Sequence, residues 1–362
     1  MKKAACLLAL LLAVLVTSSP KSWSATPRKN SFDIKNGVNI SHWLSQSEQR
    51  GERRKAYFTR ADVEFIASLG YDHIRLPIDE EQMFTENGEK EPEAFTLLHD
   101  ALGWCEEFNL RVLVDLHILR THHFNAAEKP LFTDPKAQEQ FYECWRKLSG
   151  ELSKYSVDKV AYETMNEPVA DDPEIWNVIV NRCVEVIREL EPERTIAVGS
   201  NRWQSYTTVK DLRVPENDPN ILISFHYYEP FLLTHYKASW THVRDLDVPV
   251  HYPGQLIADA DLAAAGNHAR AGRSVNSIDT IEEHFKQVIE VAQKYNLKIY
   301  CGEYGCINAA PQEDKVRWYK DLYTLFEKHD IARANWDYKG GFGIIRNREP
   351  QMEKINAILG KN

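Results

Sequence analysis

The chain has 362 residues, 43% hydrophobic and 27% charged, an ordinary mix for a globular protein that can bury one large core or two modest ones. A formal net charge of −9 at pH 7 argues against nucleic acid or an anionic membrane surface as partner. Aromatics reach 11%, with nine Trp and sixteen Tyr, which serve to fill a core or to offer flat rings to a sugar.

At the start, Lys2 and Lys3 precede an apolar run from Ala4 to Val16, followed by Thr17, Ser18, Ser19 and Pro20. A positive segment, an apolar segment and small residues in that order read as a secretory signal, here residues 1–24. The run is short for a bilayer span, an uncleaved anchor being the alternative, and Cys6 lies too early to be a lipoprotein cysteine. Residues 25–362 are therefore expected to form one secreted or periplasmic domain, monomeric and without a membrane partner once the signal is removed. Cys105, Cys144, Cys183, Cys301 and Cys306 remain, an odd number that leaves a thiol unpaired. Their scattered spacing lacks CxxC, so they read as small core residues rather than a zinc cage.

In chain order, Gly37 to Trp43 reads as a first strand ending in polar and aromatic residues. Thr59 caps a helix from Ala61 to Leu69, stopped by Gly70. His73 to Ile78 is a second strand, broken at Pro77, and Glu93 to Asn109 has helical spacing. Arg111 to His117 is a third strand, and Pro135 opens the next helix. Val160 to Pro168, VAYETMNEP, is the stretch around which the chain is organised. Its apolar and aromatic lead-in is a buried strand, and Pro168, with no N–H for a ladder, should stop it at Glu167. A helix from Pro173 to Leu190 follows, then strands Thr195–Ser200 and Ile221–Tyr228. A helix from Ile281 to Tyr295 leads to strand Lys298–Tyr304, and a helix from Glu313 to Phe326 leads to strand Ala332–Tyr338. Met352 to Leu359 closes the chain as a short helix.

Eight strand-like segments alternating with helical ones, undivided by a Pro/Gly/Ser linker, predict a single (β/α)8 TIM barrel. A doubly wound open sheet is the rival, but no GxGxxG or Walker-type loop follows the first strand. Between strand six and the next helix, Glu229 to about Ser277 is a long insertion carrying Phe231, His235, Tyr236, Trp240, His251 and Tyr252. Connections of this length are functional or disordered, and its aromatics favour an ordered lobe over the active face.

Active residues of such barrels sit at the carboxyl ends of the strands. Those ends carry Trp43, Arg75, His117, Asn166, Glu167, His226, Tyr228, Glu303 and Trp336. Each alone has an ordinary structural use; their concentration at one end does not. Two carboxylic acids flanking a bond are what glycoside hydrolysis requires, one protonating the leaving oxygen and one attacking carbon or activating water. Arg75 and the Tyr228 hydroxyl, placed beside Glu303, would favour its carboxylate, and that charge would hold a proton on Glu167.

These residues resemble glycoside hydrolase family 5, the cellulase family, over essentially the whole chain from Gly37 to Trp336. Ile74–Pro77 is similar to the family's strand-two motif, Asp115–His117 to strand three, and Met165–Pro168 to the acid/base motif. His226-Tyr227-Tyr228 resembles the His-x-Tyr of strand six, Gly302–Gly305 the nucleophile strand, and Trp336 the strand-eight sugar platform. The resemblance implies a retaining double displacement, with Glu167 as acid/base, Glu303 as nucleophile, and Asn166 on the sugar 2-hydroxyl. Arg75, His117, His226, Tyr228 and Trp336 complete the binding set, and the substrate class is a β-glucan such as cellulose, or a β-mannan. No cofactor and no metal are expected. One departure stands out: many members place a second histidine directly after the strand-three histidine, whereas Ile118 follows His117 here, with His122 and His123 further along the loop. A metal-dependent hydrolase has histidines available but no HxH or HExxH spacing. A non-catalytic sugar-binding barrel could dispense with either acid, and an exo-acting glycosidase on small or lipid glycosides would use the same pair.

Overall fold

The computed structural model describes residue 29 and residues 31–361, so the signal reading of residues 1–24 lies outside the described residues. Eight parallel strands close into a barrel: β1 (Asn36–Asn39), β2 (His73–Asp79), β3 (Arg111–Ile118), β4 (Val160–Glu163), β5 (Ile196–Gly199), β6 (Ile221–Tyr227), β7 (Lys298–Tyr304) and β8 (Ala332–Asn335). Each strand pairs with its neighbours in sequence, and β8 closes on β1 through Gly37 opposite Ala334. The predicted TIM barrel is the observed fold.

The outer helices are α1 (Arg60–Ser68), α2 (Pro92–Glu107), α3 (Pro135–Leu152), α4 (Pro173–Leu190), α5 (Ile278–Tyr295), α6 (Gln312–Lys328) and α7 (Met352–Leu359). Their starts are written in the sequence. Asp134 and Asp172 accept the N–H of Lys136 and Glu174, each with proline in the first helical position. At α1, Asp62 reaches back to the Thr59 N–H at 2.8 Å. Between β5 and β6 only short turns stand where another full helix would lie.

Several boundaries differ from expectation. The β2 strand runs through Pro77 to Asp79. The Arg75 carbonyl accepts from Ile40, so odd-numbered β2 residues face β1, which ends at Asn39. The N–H that Pro77 lacks therefore points past the end of the neighbouring strand. The β4 ladder stops at Glu163, not Glu167. Beyond it Thr164 N–H bonds Ala197 of β5 and Asn166 N–H bonds Leu116 of β3, until Glu167 turns to φ 46°. The first and last strands are also shorter than read, because the chain leaves the ladder as soon as it reaches the mouth.

The core lies mainly between strands and helices. Inside the barrel floor, Leu113, Ala161, Ala197, Leu222, Tyr300 and Ala334 pack with Phe32 and Ile34. All five described cysteines are buried and unpaired, Cys301 on a strand and Cys105, Cys144 and Cys183 on helices. The long connection from β6 to α5 is folded: it holds a helical turn (Phe231–Thr234) and a two-stranded antiparallel hairpin (Gly254–Gln255 with Val275–Asn276). It is fastened to α6, since the Asp314 carboxylate accepts the Tyr252 N–H at 2.8 Å and Asp321 accepts the Tyr252 hydroxyl at 2.7 Å. Among the described residues no helix is long and apolar enough to cross a membrane.

Leu148 on α3 is fully buried against this core. Leu148→Ala is expected to lower the unfolding free energy by about 2–5 kcal/mol through lost burial and a residual cavity, read from urea denaturation.

Candidate active site

Alternate residues of a strand face the barrel interior. On β3 that set is Leu113, Asp115 and His117; on β4, Ala161 and Glu163; on β6, Leu222, Ser224 and His226. The lower members are apolar and fill the floor, and the upper ones carry the chemistry. Strand β7 breaks this alternation. Cys301 pairs with Phe225 and Arg333, yet the following pairs are Glu303 with His226 and Tyr304 with Asn335. Gly302 is thus one residue extra relative to both neighbours, a bulge. In an unbroken strand Glu303 would share the outward face of Cys301; the bulge turns it into the mouth. A Cβ on Gly302 would sit 3.2 Å from Ser224 Oγ, and its carbonyl is held by Asn39 Nδ2 at 3.0 Å.

At the centre lies Arg75, fully buried. Its Nε donates to Glu163 Oε2 at 2.7 Å, and Nη1 to Glu303 Oε1 at 2.7 Å and Asn39 Oδ1 at 2.9 Å. Nη2 donates to Asn166 Oδ1 at 2.8 Å and lies 3.0 Å from Asp115 Oδ2. The three carboxylates keep the guanidinium charged against the pull of burial. One cation cannot neutralise three anions, and burial pushes the Asp115 carboxyl up to about 7 and raises Glu163 as well.

Glu303 is gripped on both oxygens, by Arg75 on Oε1 and by the Tyr228 hydroxyl on Oε2 at 2.8 Å. Opposite stands Glu167, whose Oε1 is 3.0 Å from His226 Nδ1; that nitrogen is 3.7 Å from Glu303 Oε2. Carboxylate oxygens of Glu167 and Glu303 lie within 4.8 Å of each other. Two ionised carboxylates at that range repel by about 3 kcal/mol or more at an effective dielectric near 20. The Glu167 carboxyl is accordingly held well above its ordinary value, first by burial and then by the charge of Glu303, with Arg75 opposing. As expected, Arg75 and the Tyr228 hydroxyl favour the Glu303 carboxylate, but burial outweighs them and His117, so this carboxyl is raised as well. The ordering of the two acids is kept, since Glu303 has the cation. Burial holds His226 neutral, far below the usual imidazole range.

The remaining sequence candidates meet here too. Trp336 stacks on His117, rings 5.6 Å apart and 7° from parallel, while His117 Nδ1 is 2.6 Å from Asp115 Oδ2. Burial takes His117 down to about 3. Trp43 does not join them; it is fully buried, donates to the Arg54 carbonyl at 2.8 Å and packs on Phe58. Nor is His122 exposed: its ring is buried edge-on to Phe132, whereas His123 lies against Phe124 outside. Sequence reasoning passed over Asn39, Glu163 and Gln204, and named Asp115 only within the strand-three motif. The available signal was a charge or amide inside an otherwise apolar strand (Asn39, Glu163) at an inward-facing position.

Glu167, His226 and Glu303 are the one described group whose ligand atoms cluster as a metal site would need. Both Glu303 oxygens already carry donors, one of them cationic, so a divalent ion there would meet the Arg75 charge.

A barrel mouth with two opposed carboxyl groups, an arginine, neutral imidazoles and a stacked indole is the equipment of a glycosidase. The model of Cellulase (glycosyl hydrolase family 5) matches residues 35–341, and the chain belongs to that family. Endoglucanase C of Acetivibrio thermocellus is 31% identical over 341 residues, which cover 91% of this chain and 98% of that protein. Cellodextrinase A of Ruminococcus flavefaciens is 31% identical over 301 residues, 82% of this chain and 83% of the relative. Among solved structures, a hyperthermophilic endo-beta-1,4-glucanase in complex with substrate superposes with TM-score 0.75 at 25% identity, covering 91% and 97% of the two chains. The protein is a glycosidase that hydrolyses O-glycosyl bonds, and the reading as a non-catalytic sugar-binding barrel falls.

Glu303→Gln removes the negative charge that raises Glu167. In the folded variant the Glu167 carboxyl is expected to titrate at lower pH than in the wild type, followed by carbon NMR of labelled glutamate; an unchanged titration would mean that the two acids do not interact.

Proposed function

We propose that this protein is an exported, monomeric, retaining β-glycosidase that cleaves β-1,4-glucan by double displacement. One observation carries the reading: carboxylate oxygens of Glu167 and Glu303 lie within 4.8 Å. Retaining enzymes hold their carboxyl groups about 5–5.5 Å apart, whereas inverting ones leave about 6.5–9.5 Å for a water.

In the first step the Glu303 carboxylate attacks the anomeric carbon while Glu167 passes its proton to the leaving oxygen, giving a glycosyl ester on Glu303. In the second, ionised Glu167 takes a proton from water, whose oxygen attacks the same carbon and releases the Glu303 carboxylate. Arg75 and Tyr228 fix the nucleophile throughout. With Asn166 Oδ1 held by Arg75, its amide nitrogen is the atom it can offer the sugar 2-hydroxyl. Trp336, backed by His117, offers its face to the sugar at the cleavage point.

The names of the relatives, endoglucanase and cellodextrinase, support β-glucan as substrate. Two exposed indoles support an open cleft that stacks several sugars. Trp203 is 44% exposed, with its backbone N–H on the Pro168 carbonyl; Trp240 is 61% exposed, beside the Phe342 that touches Tyr228. Export rests on the amino-terminal pattern of Lys2, Lys3 and the apolar run.

Cello-oligosaccharides incubated with the enzyme are expected to yield the β-anomer first, seen by proton NMR before mutarotation; an α-anomer would replace this mechanism by inversion. Glu167→Gln and Glu303→Gln should each lower turnover by 100-fold or more, about the size of a lost acid–base contribution. Extensive dialysis against a chelator should leave the rate unchanged, and loss of activity restored by zinc would revive metal-dependent hydrolysis.

A further inference from the structure

Between β5 and β6 the backbone does something costly at a place the chemistry above does not use. Arg202, Trp203 and Gln204 are three consecutive non-glycine residues in the left-handed region, with φ of 57°, 60° and 52°. Such residues persist only where the surroundings over-determine them. What this turn delivers is the Gln204 side chain, fully buried beneath the acids.

Gln204 Oε1 accepts the backbone N–H of Glu167 at 2.8 Å, and Glu167 is itself left-handed at φ 46°. Gln204 Nε2 donates to Glu163 Oε1 at 2.8 Å and to Ser224 Oγ at 3.1 Å. The other oxygen of Glu163 accepts from Arg75, which in turn grips Glu303. A continuous series of hydrogen bonds thus joins the backbone of one acid to the side chain of the other. An amide alone suits this link, since it must accept at one end from an N–H and donate at the other to a carboxylate. The surrounding chain makes room for it. A Cβ on Gly199 would fall 2.2 Å from Gln204 Nε2. The strands of backbone on either side are tied as well: Asn201 exchanges two bonds with Ala170, and Trp203 N–H reaches the Pro168 carbonyl.

We infer that Gln204 is a positioning residue for Glu167, fixing the left-handed turn that aims its carboxyl at the leaving oxygen and keeping it in register with Glu303 through Glu163 and Arg75. The inference rests on the assignment of Glu167 as acid in the proposed mechanism. A positioning role for the acid differs from general support of the barrel in one measurable way. Substrates whose leaving group needs no proton should not feel the loss.

The test compares kcat/KM for cello-oligosaccharides with kcat/KM for 2,4-dinitrophenyl β-cellobioside, which reports the first step without acid assistance. Gln204→Met, of similar length but with neither hydrogen bond, is expected to lose about 10- to 100-fold on the oligosaccharides, the scale of a misplaced catalytic group, while keeping its wild-type value on the aryl substrate. Gly199→Ala, which drives a methyl group into the same amide, should show the same selective loss and serves where Gln204→Met does not fold. Parallel loss on both substrates, or loss on neither, would overturn the inference. Glu167→Gln is the control. If it shows no selectivity, the assignment of Glu167 as acid fails; if it is selective and the Gln204 and Gly199 variants are not, only the role of Gln204 fails.

Discussion

A guanidinium with no exposure to solvent, facing three carboxylates across the upper interior of a barrel, governs where everything else in this site can stand. Charges removed from water are tolerated only when paired and fully hydrogen-bonded, and Arg75 meets the condition with contacts to Asp115, Glu163, Glu303, Asn39 and Asn166. Because a guanidinium is planar and its donors point in fixed directions, each partner is fixed in direction as well as distance. The excess of negative charge has a second effect. Protons must remain in the cluster, and the carboxyl lacking a direct arginine contact, Glu167, is the natural place for one.

Neither acid is placed by regular secondary structure. Glu303 reaches the mouth because a bulge at Gly302 shifts the parity of β7, and Glu167 because the chain beyond β4 turns into the left-handed region. Regular strands set the height of the site above the barrel floor; the irregular residues set its aim. Asn39 ties the bulge and Gln204 ties the turn, so both irregularities are held by amides that also belong to the network around Arg75.

Much of the fold was legible because its elements are long, periodic and clearly capped. Helices 173–190 and 352–359 and strand 298–304 came out with the observed bounds. Errors gathered at the barrel mouth, where strands β1, β4 and β8 end early and Pro77 sits harmlessly inside β2. Asking which side chains stand at carboxyl ends brought out His117, Asn166, Glu167, His226, Tyr228, Glu303 and Trp336. It also named Trp43, which packs elsewhere, and Arg75, which stands third of the seven residues of β2 and reaches the site from inside the barrel. What escaped were residues whose meaning depends on facing direction or on distant partners. Gln204 has no motif at all, and although Glu303 was named from its GEYG context, KIYCGEY does not show the bulge at Gly302 that turns it inward. The sequence shows the arginine and the tyrosine that favour the Glu303 carboxylate, but not the depth of burial that outweighs them.

The proposed mechanism rests on one chemical division of labour, an acid that keeps its proton and an anion that attacks carbon. The direct test is to trap the ester that this division requires. Incubation with a 2-deoxy-2-fluoro-β-cellobioside bearing a good leaving group, followed by peptide mass spectrometry, should find one fluorocellobiosyl adduct on the peptide carrying Glu303. An adduct on Glu167, or inactivation absent while the parent cellobioside is turned over, would contradict the account.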